Sequence, residues 1–141
     1  MADVKTMKTI LDNFHEVSLA SVTEDDGGLR CKVSPMKVGE RRNVVEDSSQ
    51  RKIEINFGVV SGYLVVQEII QVGFNFKYSD GAVISEVVDS SMLKDFALDI
   101  FGQANRHFVL RTSHQYVNVF VETDAENGCL SPQTIIAECV P

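Results

Sequence analysis

One stretch decides the fold: IEINFGVVSGYLVVQEIIQVGFNFKYSDGAVISEVV, residues 53–88. Ile53, Ile55, Phe57 and Val59 alternate with Glu54, Asn56 and Gly58, which is the period of a strand with one buried face. Ser61 and Gly62 then offer a turn. With those two as the loop, Val59 faces Leu64, Phe57 faces Val66 and Ile53 faces Ile70, so that cross-strand partners share a face. The alternation runs on through Ile70, Val72, Phe74, Phe76 and Tyr78 until Asp80 and Gly81, a dipeptide suited to a turn that needs positive φ. That second turn sets Tyr78 against Val83, Phe76 against Ser85 and Phe74 against Val87. The stretch predicts an antiparallel meander over 53–60, 63–78 and 82–88.

Towards the N-terminus, Val4, Met7, Leu11 and Phe14 recur at helical spacing and predict a short N-terminal helix. Val17 and Leu19 then alternate as a strand. Residues 24–28 form a turn around paired glycines, and Leu29, Cys31 and Val33 continue as its hairpin partner. Pro35 ends that pairing or marks an edge. Residues 39–52 are the polar stretch of the chain and read as a mobile surface loop. Arg41, Arg42, Arg51 and Lys52 form a small basic patch there, or, with Glu40, Glu46 and Asp47 interleaved, a solvated loop.

Towards the C-terminus the period changes. Leu93, Ala97, Ile100, Ala104 and Phe108 follow helical spacing, widened by Phe96 and Phe101, with Ser90 or Ser91 as the cap. A long helix to about Thr112 is expected, with Phe74 and Phe76 buried beneath it. Val117, Val119 and Val121 form a strand, and 134–139 a last short one. The fold class is then α+β: an antiparallel sheet carrying one long helix and a short N-terminal helix, in a single domain over 1–141.

Composition excludes several functions. The 141 residues are 44% hydrophobic and 23% charged, enough to bury a core without disulfides or metal. Net charge is −7, against the basic surface that nucleic acid requires. The acidity is uneven: residues 1–62 carry 9 Lys/Arg and 10 Asp/Glu, and residues 63–141 carry 4 and 10. Apolar runs are too short for membrane insertion, and the first residues lack the blocks of a signal peptide. Cysteines at 31, 129 and 139 suggest free thiols, so a cytoplasmic location is expected.

Catalytic motifs are missing. The glycines lack phosphate-loop spacing, and there is no nucleophile elbow or His-Glu-x-x-His pair. His15, His107 and His114 and the three cysteines do not fit a metal site, and no cofactor is implied. Asp95 and Asp99, one turn apart on the expected helix, read as solvated. Glu68 falls on the apolar face of the meander opposite Ile55, where it turns outward at a bulge, pairs with Arg106 or Arg111, or lines a pocket with Tyr78. Tyr63, Val65 and Ile69 place apolar side chains on the face expected to meet water. A sixteen-residue strand over 63–78 would extend about 53 Å. A compact chain of this length has a radius of gyration of about 14 Å. Both features point to association, with Tyr63, Val65 and Ile69 at a subunit contact or a polypeptide-binding groove.

The order of strands followed by a Phe- and Ala-rich helix resembles the protein-export chaperone SecB and its relatives. The likeness is carried by Phe14, His15, Glu16, Val17, Ser18 and Leu19 at the first strand, and by Ile100, Phe101, Gly102, Gln103 and Ala104 at the helix start. Gly102 and Gln103 stand where that family has Pro and Tyr. The resemblance implies a four-stranded antiparallel sheet with helices on one side, homo-oligomers, and non-catalytic binding of non-native polypeptide or a specific protein partner. The alternative is a small enzyme or ligand binder with a pocket between curved sheet and helix.

Overall fold

In a computed structural model, residues 3–7, 16–67, 83–88, 90–96, 104, 106–122 and 136–140 are described. The alternation of Leu29, Cys31 and Val33 with Arg30 and Lys32 builds β3 (Gly28–Val38), a long strand with one dry face. It pairs with β2 (Glu16–Asp25) through the expected hairpin, Asp25 opposite Gly28. Gly28 must be glycine: its φ is +108°, and a Cβ there would meet the Gly58 carbonyl at 2.3 Å. Beyond Ala20 a bulge restores the face, so that Val17, Leu19 and Val22 all point towards the core. The other side of β3 changes partner at Pro35. Up to Val33 it pairs with β5 (Lys52–Gly58), and from Met36 with β4 (Val44–Glu46). A residue with no N–H sits where neither ladder needs one.

The sheet is completed by β10 (Ile136–Val140), giving the order β10-β5-β3-β2 with β4 beside β3. A second antiparallel sheet has the order β1-β7-β8-β9-β6, from β1 (Asp3–Met7), β7 (Ile84–Val88), β8 (Arg106–Arg111), β9 (Gln115–Val121) and β6 (Gly62–Gln67). The two sheets pack face to face. Leu29, Cys31, Val33, Ile53, Ile55 and Phe57 of one meet Ile84, Phe108, Leu110, Val117, Val119 and Val121 of the other in a single dry cluster. The architecture is a β-sandwich.

Three expectations are overturned. The meander fails at its first turn, because β5 and β6 are not paired. β5 lies between β3 and β10, while β6 pairs with β9 in the opposite sheet. Gly58, at φ +72°, starts a crossing that Ser61 N–H ends by donating to the Phe120 carbonyl at 2.8 Å. Two strands on opposite sheets of one core show the same matched apolar faces as a hairpin, so the register arithmetic cannot separate them. The segment 68–82, with Phe74 and Phe76, lies outside the described residues.

The long helix to Thr112 is also absent. The helix α1 spans only Ser91–Phe96, and the expected helix end is β8. Strand β8 is buried on both faces: Phe108 and Leu110 point into the sandwich, while His107 and Val109 point to the other side. That side is covered by Met92 of α1, packed with Val87, Ala104, Val109, Tyr116 and Phe120. A doubly buried strand has no polar alternation to reveal it, and its apolar run falls in with a helical period. The N-terminal helix is corrected for residues 3–7, which form β1 against β7, Val4 opposite Val87. Pairing along a sheet edge outweighs a weak local helical pattern in five residues. Strands at 117–121 and near 136 occur as expected.

Candidate functional site

Strand β6 reads Gly-Tyr-Leu-Val-Val-Gln and carries no charge and no proline. It is the outer strand of its sheet among the described residues, hydrogen-bonded to β9 with Tyr63 opposite Val119, Leu64 opposite Asn118 and Val65 opposite Val117. Cross-strand partners share a face, so Tyr63 and Val65 point to the sandwich side, not to the outer face expected from the meander. Tyr63 packs on the core, whereas Val65 stays 39% exposed and Leu64, on the other face, 36%. Val59, in the crossing just before β6, is more exposed still. Among the described residues, apolar surface therefore flanks a strand whose second edge has no partner.

The remaining outer strands differ. β2 carries Glu16, Glu24 and Asp25 and the bulge after Leu19. β1 contains Asp3 and Lys5, and β10 contains Glu138. Charges and bulges are how sheets keep foreign strands from adding to their edges, and β6 has neither. Of the residues expected at a binding groove, Tyr63 and Val65 thus lie on this strand, while Ile69, Glu68 and Tyr78 fall outside the described residues. Leu64 and Val59 were missed. Their signal was the uncharged run around Val65, which a hairpin reading had already assigned to a buried pairing.

A second polar constellation sits under α1. Ser90 Oγ lies 2.6 Å from His107 Nδ1, and His107 Nε2 lies 2.8 Å from Asn118 Oδ1. Leu93 N–H donates to Ser90 Oγ at 3.1 Å, the expected helix cap. These contacts assign the imidazole proton to Nε2, with Ser90 donating its hydroxyl proton to Nδ1. The ring stacks on Phe120 at 4.7 Å between centroids. Burial pushes the His107 pKa down to about 4, against the opposing hydrogen bond to Asn118. Serine, histidine and amide in a row suggest nucleophilic chemistry, but all three side chains are buried. They hold α1 on the sheet.

Other candidates resolve into structure. Arg106 Nε donates to Glu86 Oε2 at 2.6 Å and its second nitrogen to Oε1 at 2.8 Å, with the guanidinium 4.9 Å from the Phe108 centroid. This fork raises the Arg106 pKa and gives Arg106 a carboxylate other than the Glu68 proposed for it. Burial pushes the Cys31 thiol up to about 12, so it is unreactive. His114 and Asp95 are exposed. On the outer face of the β2-β3-β5 sheet, Ser21, Thr23, Arg30, Lys32 and Glu54 line a shallow depression of about 130 Å³. Arg30 there pairs with Asp25, and its Nε has no hydrogen-bond partner among the described residues. No group of three or more potential metal ligands occurs among the described residues. No described helix is long and apolar enough to cross a membrane.

The described residues thus form a β-sandwich in which β6 is an outer strand with neither charge nor bulge. No protein-family model, no curated protein and no solved structure matches the chain.

Proposed function

We propose that this protein is a non-catalytic polypeptide-binding module that takes up an extended segment of a partner by strand addition at β6. The supporting observation is the contrast between β6, uncharged with Leu64 and Val65 exposed, and the charged or bulged outer strands elsewhere. An added strand gains main-chain hydrogen bonds from the edge, and alternate side chains rest on Val65 or on Leu64. Such recognition is tolerant of sequence, which suits non-native polypeptide, the clients of SecB-like chaperones. A partner with one fixed sequence is the narrower form of the same reading.

The test is binding of a reduced, alkylated and therefore permanently unfolded protein, followed by amide chemical shifts of residues 62–67. Wild type is expected to bind with shifts centred on β6. Val65→Lys is expected to weaken binding about tenfold or more with only a modest fall in the thermal midpoint, because the lysine stem can rest on the sandwich side where Val65 lay while its ammonium reaches solvent at the strand edge and blocks addition. Binding that is indifferent to Val65→Lys, or shifts confined to other strands, would overturn the proposal.

A further inference from the structure

The hairpin between β3 and β4 is a tight turn in which Gly39 N–H donates to the Asn43 carbonyl at 2.6 Å and Arg42 N–H to the Gly39 carbonyl at 3.0 Å. Arg42 holds φ at +60°, a conformation that glycine or asparagine adopts at lower cost. Arginine there is a local sacrifice, and it leaves two adjacent guanidinium groups, Arg41 and Arg42, exposed at the tip. Just behind them Val38 and Val44 face each other across the ladder, 53% and 40% exposed. The tip is thus basic with an apolar base.

The opposite end of the same strand is acidic. Glu24, Asp25 and Asp26 are all exposed around the β2–β3 turn. Asp25 pairs with Arg30 and accepts the Gly27 N–H, while Glu24 and Asp26 flank it. β3 has 11 residues, so the two tips stand about 33 Å apart along it. Residues 24–26 carry three negative charges; residues 39–43 carry one negative and two positive.

We infer that the β3–β4 hairpin of one copy docks on the acidic β2–β3 turn of a second copy, head to tail. Arg41 and Arg42 meet Glu24 and Asp26, and Val38 and Val44 lose water against the partner as the tip closes. Two chains of net charge −7 repel elsewhere, so the approach of opposite local charges selects this orientation. The contact is heterologous. Each docked pair keeps one free tip of each sign, and association continues into a ring or an open filament. It involves none of the residues of β6 and stands apart from polypeptide capture there.

Sedimentation velocity of the full chain over a concentration series at low salt tests it. Wild type is expected to self-associate, and ~1 M salt, where the screening length is about 3 Å, to weaken association about tenfold or more. Arg41→Glu combined with Arg42→Glu, and separately Glu24→Lys combined with Asp26→Lys, are each expected to weaken it to a similar extent. An equimolar mixture of the two double variants is expected to associate again. Arg42→Gly separates docking from folding, because it relaxes the turn and raises the urea midpoint while weakening assembly. A wild type that stays monomeric throughout, reversal variants that associate like wild type, or a mixture that stays monomeric would each overturn the inference.

Discussion

His107 is the residue whose chemistry most affects stability. Its imidazole is held neutral because protonation at Nδ1 would abolish the acceptor for Ser90 and place a charge between Phe120 and the packed α1 layer. The folded-state pKa of about 4 lies below the ordinary 6.5, so between those values the unfolded chain binds more protons. Stability is therefore fully present above about pH 6.5 and is lost as pH falls towards 4, by about 3 kcal/mol from this group. Urea unfolding of wild type at pH 7 and pH 4.5 should show the drop, and His107→Phe should shrink the difference. At pH 7 the same variant should lose about 1–3 kcal/mol, because Ser90 and Asn118 keep their buried polar atoms and lose a partner. Gly28 is the second sensitive residue. Gly28→Ala forces a Cβ onto the Gly58 backbone at an unfavourable φ and should cost more than about 2 kcal/mol by the same measurement.

The elements show where local pattern succeeds. The hairpin at 24–28, the Ser90 cap and the strand from Gln115 to Val121 follow from turn chemistry, capping and alternation within a few residues. The element misread most completely is β8, because its neighbours on both faces come from elsewhere in the chain. Among the described residues the helix that remains, α1, spans six residues and is kept in place by Met92 and the Ser90 bond to His107. A helix this short has no stability of its own. Met92→Ala should thus cost about 2–5 kcal/mol, as for a buried core methionine, although Met92 lies outside the space between the sheets. Loss of less than about 1 kcal/mol in urea would show that α1 contributes little to the outer layer. Of the candidate binding strand, Tyr63 and Val65 were legible as apolar residues out of place. Their face was not, since it depended on β9 as the partner.

At the scale of the whole molecule, the amino-acid order by itself determined an acidic chain and which side of β2, β3 and β5 is dry. Those are properties of composition and of side-chain period, both local. The tertiary structure alone decided that β5 and β6 belong to different sheets, that His107 lies beneath a helix beside Asn118, and that β6 ends its sheet among the described residues. It also set the basic and acidic hairpins at opposite ends of β3. Alternation states that a strand has a buried face but not which strand lies beside it. That choice is made by pairings between residues far apart in sequence, such as Tyr63 with Val119, whose energy appears only when both sheets close on a common core.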